Sequence, residues 1–282
     1  MRSRKIGLVL PLIAGFALVA SWGQNQVAAS HADEEATAAL EGCVRWHGSR
    51  PNVPPIEGTL NARVENGLRP QVRHPNPNAP RIDSSGHVES ALLWLSHIDA
   101  SRSKPWDLPP VRVQLSDYRF HIKQGATDAL TGFVRVDDRV DLESTDQAFH
   151  AVHGDGAAFF SLMLPDPNRP VSRTLTRPGI VELSSAAGYV WMRAYLLVSE
   201  HPYVARTDSN GRFSIRGIPP GDYDVIAWLP SWKEAGHDRD PETALLTRLR
   251  LRQPVEQTRH VKLSAGQAAT VEFLYRESDF RD

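Results

Sequence analysis

Between Trp191 and Trp228 the chain reads WMRAYLLVSEHPYVARTDSNGRFSIRGIPPGDYDVIAW, three strands separated by little more than turn residues. One strand ends at Thr207-Asp208-Ser209-Asn210-Gly211 and a second runs from Arg212 to Ile215. A third begins at Tyr223, after Ile218-Pro219-Pro220-Gly221-Asp222. Asn-Gly between two β-rich runs predicts a hairpin, because both residues tolerate positive φ. Phe213 and Ile215 fall on one face and Arg212, Ser214 and Arg216 on the other, the period of a half-buried strand. A segment of this kind specifies architecture and carries no catalytic chemistry.

The same pattern runs through the middle of the chain. Val111, Val113 and Leu115 alternate with Arg112 and Gln114, and Tyr118, Phe120 and Ile122 alternate with Arg119, His121 and Lys123. Residues 132–136, 139–144, 157–164 and 173–183 continue it, with turn residues and prolines between. Strands at this spacing indicate an all-β chain built as Greek-key sandwiches or a barrel, and tandem Greek-key sandwiches are the fold expected. Upstream, 42–47 reads as a first strand, 52–80 as an extended loop rich in proline and asparagine, and 87–98 as a buried strand. Downstream, 230–241 is a charged insertion, Asp240-Pro241 predicts a short helix over 242–249, and final strands are expected near 260–263 and 270–275.

The compartment follows from the N-terminus. Arg2, Arg4 and Lys5 precede an apolar run from Ile6 to about Trp22, with small residues at Val27-Ala28-Ala29. Positive residues, an apolar stretch and a small-residue zone predict a cleaved secretory signal at 1–29, then a polar spacer at 30–41. The mature chain is expected in the periplasm, secreted or at the cell surface, with no transmembrane segment. Cys43 is the only cysteine, so no intrachain disulfide can form and the fold must hold by burial. On a first strand, Cys43 is expected to be a buried small residue. The 32 basic and 33 acidic residues nearly cancel, which points away from nucleic acid.

Two resemblances add to this reading. The residues TDSNGRF, IPPGDYDVIAW and ATVEFL, from Ala194 to Trp228 and 269–274, resemble a carboxypeptidase regulatory-like (prealbumin-like) sandwich with the carbohydrate-binding-like fold. The motifs DYRFHI, STDQAFHAVHG and YVWM, followed by HPY, resemble a cupredoxin. The resemblances imply a cupredoxin-like sandwich over 42–192, completed by the strands of 42–98, then a second sandwich over 193–276 and a tail at 277–282. In cupredoxins one His sits on the first motif, and a Cys, a His and a Met sit on one later loop. His150 falls on the first position and Met192 on the last, but the second His position holds Tyr189 and the Cys position Ala186. A blue-copper site needs a thiolate and two imidazoles, so the resemblance implies a sandwich that has lost its metal.

Among candidate sites, His150 and His153 face opposite sides of a strand unless the backbone turns between them. With Met192, and Met163 as a further donor, they form the candidate metal set, a non-blue site suited to Cu(I). His201-Pro202-Tyr203 reads as a packing element with a buried, paired Tyr203 hydroxyl, and Trp191, Trp228 and Trp232 as core aromatics or a sugar platform. Gly-x-Ser-x-Gly, HExxH and phosphate-loop patterns are absent from the sequence. The expectation is a non-enzymatic exported protein with no cofactor, binding a protein or a polysaccharide. The competing class is a weak copper or electron-transfer protein.

Overall fold

The computed structural model describes residues 37–60, 71–242 and 244–280; the expected signal segment lies outside them. Every regular element longer than one turn is a strand among the described residues. Four main sheets stack face to face, with three apolar cores between them. The alternation seen in the sequence decides which side chain enters which core.

The first sandwich pairs two five-stranded sheets. One has the order Thr131–Arg135, Arg193–Ser199, Gly179–Ser185, His150–Gly156 and Phe160–Leu164. The other has the order Val171–Thr174, Arg139–Ser144, Val111–Ser116, Arg119–Gln124 and Thr127–Ala129. Val113, Leu115, Ile122, Val152, Val181, Leu183 and Leu196 fill the space between them. The second sandwich sets a three-stranded sheet (Arg212–Ile218, Ala38–Trp46, Ala268–Tyr275) on a four-stranded one (Val204–Arg206, Leu92–Ser96, Gly221–Leu229, Val255–Leu263). Leu93, Leu95, Val225 and Ala227 of the four-stranded sheet meet Leu40, Val44, Ile215 and Phe273.

The period of two also makes the third core. Leu92, Val204 and Trp228 leave the far face of the four-stranded sheet and meet Phe133, Tyr195 and Leu197 from the outer face of the first sandwich. Strand Arg193–Ser199 thus has a core on each side, and all seven of its residues are buried. A strand covered on both faces reads as a continuous apolar run, as YLLV does here.

Several expectations are corrected by strand pairing. Ala38–Trp46 and Leu92–Ser96 pair with C-terminal strands, so they complete the second sandwich and not the first. The first of these begins at Ala38, inside the expected spacer. Conversely, Arg193–Ser199 belongs to the first sandwich, where it lies between Gly179–Ser185 and Thr131–Arg135. The 52–80 stretch holds a hairpin, Ile56–Thr59 paired with Gln71–His74. Among the described residues of 242–249 no helix forms. Asp240 Oδ1 instead accepts the Glu242 amide at 3.1 Å, and Leu246–Leu251 pairs with Glu234–Arg239, which lets Leu249 reach the first core.

The Asn-Gly turn does not close a hairpin either. Val204–Arg206 and Arg212–Ile218 leave it for different sheets of one sandwich. Asp208 holds the turn, its carboxylate accepting the amides of Asn210 and Arg212 at 2.8 and 2.9 Å. Only Gly211 takes positive φ there (67°), and a Cβ on it would lie 2.6 Å from the Val44 carbonyl oxygen.

Candidate functional site

His150 opens the strand His150–Gly156 and is fully buried. Its Nε2 lies 2.9 Å from Asp146 Oδ2. The same carboxylate accepts the amides of Asp117 and Tyr118 at 2.8 and 3.1 Å. These two residues make the tight turn between Val111–Ser116 and Arg119–Gln124, both at positive φ (51° and 56°). Asp146 therefore ties the histidine to a turn that needs external support.

Aromatic rings complete the setting. Tyr189 stands 5.1 Å and Tyr118 5.8 Å from the His150 ring, and the two tyrosines meet edge-on at 5.0 Å. Trp191 packs on Tyr189 at 5.7 Å, donates Nε1–H to the Tyr118 carbonyl at 3.0 Å, and is covered by His74, stacked at 4.1 Å and 9°. Two ring nitrogens in this cluster, His150 Nδ1 and His74 Nε2, are buried without a hydrogen-bond partner. Burial, with Arg119 nearby, holds His74 below the ordinary histidine value.

The structure brings some predicted residues together and separates others. Tyr189 and His150 converge, and Met192 closes the same loop, its amide donating to the Tyr189 carbonyl at 2.9 Å. Met192 is 2% exposed and forms part of the first core. Ala186 is bound by its amide to the Ala151 carbonyl at 2.8 Å and offers no ligand atom. His153, three residues along a regular strand, projects to the opposite face, where it meets Phe159 edge-on at 5.1 Å. Met163 is 68% exposed on the neighbouring strand. Cys43 lies in the other sandwich and is only half-buried, with burial and Glu272 holding its thiol above the usual value. The expected gathering of His150, His153 and Met192 thus runs against the strand geometry at His153. Among the described residues no three His, Cys, Asp or Glu side chains are grouped to hold an ion.

A copper ion of the blue type does not fit this donor set. His150 Nδ1 is one imidazole nitrogen and Met192 one thioether, while Ala186 and Tyr189, to which the cupredoxin resemblance would assign the thiolate and second imidazole, carry a methyl group and a phenol.

The remaining expected residues are structural. Tyr203 is fully buried, and its hydroxyl accepts the Lys104 amide at 2.9 Å. Trp191, Trp228 and Trp232 are 3%, 1% and 6% exposed, so none offers a sugar platform. Trp232 packs instead on Trp46 and Phe280, at 5.9 and 4.7 Å.

Two openings flank the buried cluster. One, of about 550 Å³, lies between His153, Asp155, Glu182 and the hairpin strand Leu246–Leu251. Burial raises the Glu182 carboxyl there, against the pull of Arg193 at 3.1 Å. The other, of about 740 Å³, opens between the two sandwiches and is lined by His74, Tyr118, Arg119 and Arg206. Apart from His153, neither Asp146 nor these cleft residues stood out in the sequence. Asp146, four residues before His150, was the one with a readable signal.

No protein-family model and no curated protein matches the sequence. Solved structures similar to part of the chain include a copper-containing nitrite reductase from Thermus scotoductus, at 18% identity, 35% of this chain, 24% of that chain and a TM-score of 0.28. An oxidised amicyanin variant matches at 20% identity over 32% of this chain and 82% of its own, with a TM-score of 0.25. A Cu(I) amicyanin variant matches at 17% identity over 38% and 98%, with a TM-score of 0.26. The chain spans about a quarter of the nitrite reductase it matches.

Proposed function

We propose that this chain is a non-enzymatic binding protein, exported with removal of residues 1–29, that contacts a polysaccharide or another protein outside the cytoplasm. On this reading a cupredoxin-like sandwich that has given up its metal is joined to a carboxypeptidase regulatory-like sandwich. The observation that carries it is the filling of the ligand loop. Tyr189, 1% exposed, packs its ring against His150 where a second imidazole would be required, and Asp146 takes the histidine's Nε2. A thioether and one imidazole hold copper far more weakly than a set with thiolate.

Metal analysis of the purified protein tests this. The expected result is substoichiometric copper, unchanged in a His150→Ala variant. One copper per chain, lost in that variant, overturns the reading. It would favour the alternative, a non-blue copper site, which draws on the unpartnered Nδ1 of His150. That alternative requires His153 to leave the far face of its strand or be replaced by another donor.

A further inference from the structure

The larger opening has a charge imbalance that the fold does not use. Three carboxylates line it, and two are already engaged: Asp128 by Lys123 and His121, and Asp208 by the amides of its own turn. Glu89 lies 3.6 Å from Arg81 and acts on Arg206 as well, and Asp208, held only by neutral amides, keeps its charge. Against Glu89 and Asp208 stand Arg81, Arg119 and Arg206, while the fourth lining arginine, Arg193, is paired with Glu182. The Arg119 side chain is exposed and makes no hydrogen bond or ion pair among the described residues. Arg206 commits only Nη1, to the Thr131 carbonyl and hydroxyl at 2.8 and 2.9 Å. Its guanidinium is partly desolvated, which makes an incoming oxyanion more strongly held than at an open surface.

The rest of the wall is rigid and mixed in polarity. Asn78, 3% exposed, donates to the Tyr195 hydroxyl at 2.6 Å and the Ser231 carbonyl at 2.9 Å. Asn76 donates to the Trp232 carbonyl at 3.0 Å, so the 74–81 rim is pinned to the second sandwich. Tyr118, whose ring is half-buried, also lines the opening, beside His74 stacked on Trp191. Flat rings next to polar groups and free guanidinium suit a sugar ring bearing a carboxylate.

We propose that this cleft binds an acidic saccharide of the uronic acid type, with Arg119 and Arg206 donating to the carboxylate and Tyr118 packing on the sugar ring. The proposal rests on the reading of the chain as a binding protein and names its ligand class.

Calorimetric titration of the purified protein with an oligogalacturonate, an uncharged oligosaccharide of equal length and inorganic phosphate tests it. Only the oligogalacturonate should bind, and more weakly as salt rises. Arg119→Glu, an exposed change that spares the fold, should weaken binding at least about tenfold, as loss of a charge-assisted contact plus repulsion requires. Arg112→Glu, outside the cleft, should leave it unchanged. Equal binding of the uncharged oligosaccharide or of phosphate overturns the proposal, as does no binding of the acidic one or indifference to Arg119→Glu. Copper content measured on the same sample keeps the outcomes separate. Stoichiometric copper refutes the parent reading, whereas metal-free protein that ignores uronates refutes only the ligand class.

Discussion

Replacing Asp146 with alanine removes three acceptor contacts at once: His150 Nε2 at 2.9 Å and the amides of Asp117 and Tyr118 at 2.8 and 3.1 Å. The dominant effect is at His150. With 0% exposure and Nδ1 already without a partner, its ring would be left with no hydrogen bond at all. A buried polar group stranded in this way costs about 1–3 kcal/mol. The two amides sit on a surface turn that water can reach, so each adds about 0.5–1 kcal/mol. The sum is about 3 kcal/mol. With an m-value of about 2 kcal/mol/M in urea, the unfolding midpoint of the first sandwich should fall by about 1.5 M. In Asp146→Ala/His150→Phe the stranded nitrogen is gone, so the double variant should recover more than about 1 kcal/mol over Asp146→Ala alone. A midpoint loss equivalent to under about 1 kcal/mol in Asp146→Ala, or no recovery in the double variant, would refute the argument that this carboxylate holds His150 in place.

Two further outcomes are expected. Amide donation from His87, then its ring, holds Asp83 near a pKa of about 2, below its ordinary 3.8, so its stabilisation is complete above the ordinary value and is lost as pH falls toward 2. An Asp83→Asn variant should therefore lose less stability than wild type across that window in acid titrations of the unfolding midpoint, and parallel curves would refute this. Trp228, 1% exposed and edge-on to Tyr195 at 4.9 Å, is the largest fully buried side chain between the sandwiches. Trp228→Ala should cost about 3–5 kcal/mol and split scanning calorimetry into two transitions; one transition, shifted by less than about 1 kcal/mol, refutes its bridging role.

Local chemistry made the strands legible. Alternation at 111–115 and 118–122 places Val113, Leu115 and Ile122 in a core, and the structure puts them there because a pleated strand has only two faces. The same rule separates His150 from His153 before any coordinates are seen. Absence of thiolate and second imidazole at Ala186 and Tyr189 is likewise a property of the chain. The 242–249 prediction went astray because Asp240 serves a helix start and an Asx turn equally well; Leu249 burial decided between them.

What the sequence determined alone was the all-β class and the opposed faces of His150 and His153, since both depend on residue type and on spacing along one strand. Tertiary structure decided the rest: which sheet each strand joined, and that Ala38–Trp46 crosses to the far sandwich. It also decided that Arg119 and Arg206, 87 positions apart, line one cleft. Strand partners are chosen by cores assembled from distant segments, and hydrophobic burial has no direction of its own. A pattern of two faces therefore says that a strand is covered, while only the assembled layers say by what.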